Sequence, residues 1–218
     1  MEFFWIFVFT VLAYVIGSIP SAYWLGKLQF GIDLRDHGSG SHSHLNVKRI
    51  LGRRVSWIVR ILDMTKGFLA AGMALPLSWQ INWLSWEDAY ILYLTLGLAG
   101  MMGHVFSMFT RFQGGKGFHV ALGVLLAVQP AIGFVFLGTT LLAYSIIKRY
   151  YRSYLIGSIS IPLFILLTKV VWHDKFFPML TFAVGIFLIL AITHYQAIVS
   201  RTGKPGGVLV KRIRSRNS

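Results

Sequence analysis

The chain has no cysteine among its 218 residues, which excludes disulfides, thiol nucleophiles and cysteine-ligated zinc. Acidic side chains are scarce as well: 7 Asp and Glu stand against 21 Lys and Arg, a formal net charge of +14. In a soluble protein that balance would point to nucleic acid. Here the basic residues fall in short loops between apolar runs rather than on one continuous surface, the pattern that fixes membrane orientation and contacts anionic headgroups. Anionic membrane lipids are therefore expected as partners, and nucleic acid is not. The first apolar run, 3–16, has neither a basic stretch ahead of it nor a small-x-small cleavage site, so it reads as a retained span rather than a cleaved leader. No inverted repeat is visible, which argues against a transporter.

What the sequence has in abundance is apolar surface. Hydrophobic residues make up 56% and the mean hydropathy is +0.65, too apolar for an ordinary soluble domain of this length. Apolar runs lie at 3–25, 55–77, 89–109, 118–147, 154–172 and 176–198. The fourth is too long for one crossing of about 20 residues and too short for two full ones. Charge decides how it divides. A turn at Gln129-Pro130 gives seven spans, and 17 of the 21 basic residues then share one side, the cytoplasm by the positive-inside rule. Six spans would strand Lys148, Arg149, Arg152 and the C-terminal cations outside. Pro130 favours the break, since proline inside a helix costs about 3 kcal/mol. The indoles of Trp5, Trp24, Trp57, Trp79, Trp83, Trp86 and Trp172 all fall near span ends, at headgroup level. The sequence thus predicts an all-α integral membrane protein of seven transmembrane helices, two of them short and central, with the N-terminus outside. Residues 1–200 form the membrane domain and 201–218 a basic cytoplasmic tail.

Two loops on the predicted inner face have the composition of anion cradles. The first is Gly38-Ser39-Gly40-Ser41, followed by Asn46, Lys48 and Arg49; glycine lets backbone N–H groups turn toward an oxyanion and serine adds a hydroxyl. The second is Gly114-Gly115-Lys116-Gly117, immediately before a predicted helix start, where free N–H groups and the dipole favour phosphate and lysine supplies a point charge. It is not a Walker A loop, which needs a four-residue spacer and a Ser or Thr after the lysine. Arg60, Asp63 and Lys66 recur at i, i+3 and i+6, near one helical face, where buried charges support a site or pair with one another. Gly17-Ser18-Ile19-Pro20-Ser21 predicts a kink at the inner end of the first span. His42-x-His44, with His119 as a third ligand, is a weak metal candidate that lacks an acidic partner; no metal and no cofactor are expected. His104 and His194 are candidates to contact phosphate or relay a proton.

These pieces, in this order, resemble the bacterial acyl-phosphate:glycerol-3-phosphate acyltransferases. The match runs through residues 17–22, Asp33-Leu34-Arg35 with Gly38-Ser39-Gly40, Asn46 to Arg49, Leu62-Asp63 with Lys66-Gly67, Gly103-His104, residues 114–117 and His194. The resemblance implies transfer of a fatty acyl group from acyl-phosphate to glycerol-3-phosphate, giving lysophosphatidic acid, at the cytoplasmic face of a bacterial plasma membrane. It gives Ser39, Lys116 and His194 the catalytic roles, Gly38, Gly40, Asn46, Arg49, Gly114, Gly115 and Gly117 the phosphate contacts, and Asp63, Lys66 and His104 supporting ones. The family's first loop usually reads Gly-Ser-Gly-Asn-x-Gly-Ala-Thr-Asn, where this chain has Ser41-His42-Ser43-His44-Leu45 between Gly40 and Asn46. After the second loop it usually has small residues and threonine, where this chain has Phe118-His119-Val120. A different acyl acceptor, or a non-catalytic phospholipid-binding role, are the alternative readings.

Overall fold

The computed structural model describes residues 2–80, 86–169 and 173–202. They form ten α-helices: α1 Glu2–Ser18, α2 Ser21–Phe30, α3 His44–Ile50, α4 Arg53–Gly72, α5 Ala74–Gln80, α6 Trp86–Val105, α7 Phe118–Val128, α8 Pro130–Ile147, α9 Tyr150–Leu167 and α10 Phe176–Thr202. The predicted kink is present. Pro20 separates α1 from α2, which meet at 45°. The Gln129-Pro130 break is present too, with Gln129 extended and Pro130 in the first turn of α8, where its missing N–H costs nothing.

One expectation needs correction. Of the two helices expected to be short, only α7 is, at 11 residues; α8 runs for 18. Among the described residues four helices, α6, α8, α9 and α10, are long and apolar enough to cross a bilayer, and the bent α1–α2 pair makes a fifth. The reasons the other two fall short are physical. α4 is 20 residues long but carries Arg53, Arg54, Arg60, Asp63 and Lys66, and α7, at about 1.5 Å per residue, is roughly 16 Å long against about 30 Å of hydrocarbon. The basic tail beyond Thr202, and Trp83 and Trp172, lie outside the described residues.

α7 is the hub. Phe118, Val120, Ala121, Leu122, Gly123, Val124 and Leu125 are all buried, and α7 packs against α4, α6 and α8. The core around it joins Phe136 of α8, Ile161 of α9, and Phe182 and Ile186 of α10. Its contact with α4 is backbone to backbone: a Cβ on Gly123 would overlap the Met64 carbonyl, and one on Gly67 the Val120 carbonyl. Such reciprocal glycines are how helices approach closely without water to drive them together. Large apolar side chains cover the outside instead, with Phe134, Leu141, Ile146, Leu167 and Phe177 all more than half exposed, as lipid contact requires.

Candidate functional site

Both glycine loops and the first-span kink converge at one end of the bundle. The first loop is organised by Asn46, which is 2% exposed. Its side-chain Oδ1 accepts from the Ser39 N–H (2.9 Å) and its Nδ2 donates toward the carbonyls of His37, Ser41 and Leu34 (3.1, 3.0 and 3.3 Å). Asn46 was expected to contact phosphate; its amide is instead spent inside the loop, because a turn with Gly38 and Gly40 at positive φ leaves carbonyls that need a donor. A file of hydroxyls, Ser39 to Ser41 to Ser43 (3.2 and 2.9 Å), runs along the same loop. Ser39 and Arg49 are exposed.

The second loop folds back on the end of α6. The N–H groups of Gly114 and Gly115 donate to the carbonyls of Val105 and His104, both at 3.0 Å, so these two amides are already engaged rather than free to cradle an anion. Both positions must be glycine, since a Cβ on Gly114 would overlap the His104 carbonyl and one on Gly115 the His104 ring. The open donors come one step later. Gly117, at φ 83°, starts α7, and the Ala121 N–H is the first to close onto it. The amides of residues 118–120 have no intrahelical acceptor, as at any helix start. Lys116 sits before them, its backbone carbonyl accepting from Thr193 of α10 (3.0 Å). Burial pushes its ammonium below the usual lysine range.

Lys116 lines a narrow cavity with His44, His119, Tyr151, Tyr154 and His194. The His194 Nδ1 lies 2.7 Å from the Leu190 carbonyl; a carbonyl only accepts, so Nδ1 carries the proton. His194 is fully buried and its Nε2 has no partner. Tyr154 stacks on Phe118 (ring centroids 4.0 Å) and reaches the His44 Nε2 at 3.1 Å. His44 in turn meets His119 edge-on at 4.4 Å, and burial holds the His44 imidazole well below its ordinary pKa. Sequence reasoning passed over Tyr154, since an aromatic at the start of a span reads as an interface residue. The His42, His44 and His119 metal candidate does not assemble: His44 is engaged by Tyr154, the His42 Nδ1 by the Gln113 carbonyl (2.8 Å), and no three such ligands converge among the described residues.

Behind that cavity Asp63 and His104 form a shared wall with a second one, lined also by Ser18, Pro20, His42 and Lys66. Lys66 pairs with Asp63 (2.9 Å) and donates to the Ile19 carbonyl at the helix break (2.8 Å). His104 lies 3.8 Å from the same carboxylate. Arg60, the third of the charged series, is separate: its guanidinium stacks over Trp57 (4.5 Å). The second cavity then shares Ile19, Ser21 and Lys66 with an apolar groove of about 410 Å³ between α2 and α4, walled by Ile16, Trp24, Leu25, Leu28, Leu62 and Leu69. The three spaces run in series: apolar groove, polar cavity under the kink, Lys116 and His194 cavity.

A family model described as glycerol-3-phosphate acyltransferase matches residues 7–202. The chain belongs to this family. A glycerol-3-phosphate acyltransferase of Fusobacterium nucleatum is 35% identical over 188 residues, 84% of this chain and 88% of that protein. One from Chlorobaculum tepidum is 35% identical over 164 residues, 74% and 71% of the two chains. The match to one from Bacillus cytotoxicus, 43% identical, is shorter, at 56% of this chain and 57% of that one. Among solved structures, PlsY, an integral membrane glycerol 3-phosphate acyltransferase, in its glycerol 3-phosphate form is 28% identical with a TM-score of 0.76, over 93% of this chain and 95% of that one. Its lysophosphatidic acid form gives 27% and 0.73. Membership agrees with the apolar outer surface: this is a multi-pass membrane protein of the acyltransferase family.

Proposed function

We propose that the protein transfers a fatty acyl group from acyl-phosphate to glycerol-3-phosphate, releasing phosphate and lysophosphatidic acid for phospholipid synthesis. The observation that carries this reading is the serial arrangement of the three spaces, because the reaction needs an apolar berth, a reacting centre and a cationic seat in that order. In this reading the acyl chain lies in the groove between α2 and α4, with its carbonyl at the Ile19, Ser21 and Lys66 wall. The acceptor phosphate lies against Lys116 and the start of α7, where the dipole and the open amides add to the lysine charge. The unpartnered His194 Nε2 faces the same cavity and is suited to hold a substrate hydroxyl. Ser39 and Arg49, exposed on the first loop and on α3, meet the incoming phosphates. An acyl-phosphate is already an activated anhydride, so positioning and charge neutralisation supply much of the acceleration. No cofactor is required for that chemistry.

The reading includes seven crossings, with α4 and α7 as the two that fall short by composition or length. α4 buries Asp63 and Lys66 beside the helix break at Ile19 and His104 of α6, with Arg53 and Arg54 exposed in its first turn, and α7 is sheathed by protein. It places the N-terminus outside, the site on the cytoplasmic face of a bacterial plasma membrane, and residues 201–218 as a basic tail on anionic lipids; the distribution of the 21 basic residues supports this. The test is direct. Purified protein supplied with palmitoyl phosphate and glycerol-3-phosphate should release phosphate and lysophosphatidic acid, and Lys116→Met should lose about 100-fold or more, the usual scale for one oxyanion-stabilising group. No turnover by the unaltered protein would overturn the reading.

A further inference from the structure

The polar cavity beneath the kink holds an imidazole that nothing above employs. His42 is 5% exposed, and its Nδ1 lies 2.8 Å from the Gln113 carbonyl. A carbonyl cannot donate, so the Nδ1 carries the proton and the Nε2 is left with a bare lone pair. That Nε2 is buried without a partner, and so is the Ser18 hydroxyl on the same cavity. Two orphaned buried polar atoms on one cavity are costly unless something occupies it.

With a volume of about 10 Å³ the cavity admits one water-sized group, a water molecule or a substrate hydroxyl, and its position favours the hydroxyl. It lies between the apolar groove and the Lys116 cavity, sharing walls with both. In the acyl-transfer reading, an acyl chain in the groove brings its carbonyl carbon to the Ile19, Ser21 and Lys66 wall that this cavity shares. We infer that His42 is the proton acceptor for the attacking hydroxyl, a catalytic base added to a site whose other groups position and neutralise. This rests on the acyl-transfer reading above. His194, the other imidazole with an unpartnered Nε2, lies in the far cavity with Lys116, which does not border the groove.

In the step, the acceptor O–H gives its proton to the His42 Nε2 while its oxygen bonds to the acyl carbonyl carbon. The bond between that carbon and the bridging phosphate oxygen breaks, and its electron pair leaves on the phosphate. The imidazolium then returns the proton to the departing phosphate, giving hydrogen phosphate and the neutral ring. The surroundings suit the role. Asp33 and Arg35, the Tyr23 ring of α2 (5.7 Å, edge-on), Asp63 and Lys66 of α4 and His104 of α6 surround the ring. Burial, with Arg35 and Lys66, outweighs the Gln113 carbonyl and Asp33 and lowers the imidazole pKa from 6.5, so it is neutral and able to accept at pH 7.

The test compares kcat between about pH 5 and 8.5 for the unaltered full-length protein and His42→Asn, with palmitoyl phosphate and glycerol-3-phosphate saturating. Asparagine keeps a donor for the Gln113 carbonyl and removes the Nε2. His42→Asn is expected to hold its thermal midpoint and the KM for glycerol-3-phosphate, to lose about 100-fold or more in kcat, and to lose the acid limb that the unaltered enzyme shows below pH 6.5. A kcat within threefold of the unaltered value overturns the inference. So does an acid limb at the same pH in both proteins, which belongs to a substrate phosphate, or a fall in thermal midpoint and kcat together with the limb unmoved, which marks a structural role. Should His42→Asn lose its thermal transition, His42→Gln carries the same comparison. An inactive unaltered protein would instead refute the acyl-transfer reading itself.

Discussion

Consider replacing Asp63 by asparagine. The Asp63 carboxylate and the Lys66 ammonium meet at 2.9 Å with side chains 8% and 7% exposed, and the ammonium's other partner is the Ile19 carbonyl at the break between α1 and α2. Neutralising the carboxylate leaves a buried positive charge held by neutral acceptors, a loss on the order of 3–5 kcal/mol. Lys66→Met alone leaves the carboxylate with His104 at 3.8 Å and strips the Ile19 carbonyl of its donor, at a similar cost. The double variant leaves no uncompensated charge. It should cost only about 1–3 kcal/mol, the price of one unsatisfied buried carbonyl, so the two changes should be coupled by at least about 2 kcal/mol in favour of the pair. At about 2–4 °C per kcal/mol for a chain of this size, each single variant should melt roughly 10 °C low and the double should recover about half. Far-UV circular dichroism in detergent micelles reads this, since helix is the regular secondary structure of the described residues. If the double variant is no more stable than the sum of the singles, the pair is not what ties α4 to the kinked first span.

Gly123→Ala puts a methyl against the Met64 carbonyl; the overpacking should cost about 1–3 kcal/mol and, by shifting α7 and Lys116, lower kcat about 100-fold, whereas unchanged turnover would show that α4 and α7 can part without moving the site. Asn46→Asp removes the Nδ2 donor from three loop carbonyls and should destabilise by about 2 kcal/mol or more, read as a lower melting midpoint; Asn46→Asp with normal stability would deny Asn46 its scaffolding role. His44, with its folded pKa depressed by burial, binds fewer protons folded than unfolded. Its contribution to stability is therefore complete above pH 6.5 and erodes as pH falls below that value, by at most about 1.4 kcal/mol per unit. His44→Phe should flatten that slope in melting curves taken between about pH 5 and 7.5.

Charge and proline make the division of the 118–147 run legible: Pro130 and the cations at 148, 149 and 152 call for a turn at Gln129-Pro130. The helix lengths on either side were not, because apolar composition is continuous across the break and only the packing of α7 against α4 decides where it stops. The loops were legible as glycine-rich and basic, and Lys116 and His194 do meet in one cavity. The wiring within the loops was hidden. That Asn46 serves backbone carbonyls rather than ligand, and that the Gly114 and Gly115 amides are spent on α6, depends on which way each amide points. Composition carries no such information. The tautomers of His42 and His194 belong to the same class, since they follow from the Gln113 and Leu190 carbonyls. Tyr154 escaped for a further reason: its partners, His44 and Phe118, come from segments distant in sequence.

The shortness of α7 has a consequence for how the protein reaches its membrane. Eleven residues, one of them His119, are too few to partition into a bilayer as an independent segment, and this helix leaves nearly every side chain in contact with protein rather than lipid. Its entry therefore depends on what is already there. During synthesis α4 and α6 precede it and present the Met64 carbonyl and the glycine-notched surface it needs, while α8, joined to it by the single residue Gln129, supplies the apolar length to carry it in. Inserting a few polar residues at that junction would uncouple the two, and the cost would fall on biogenesis, as protein lost to quality control, before any catalytic group was disturbed.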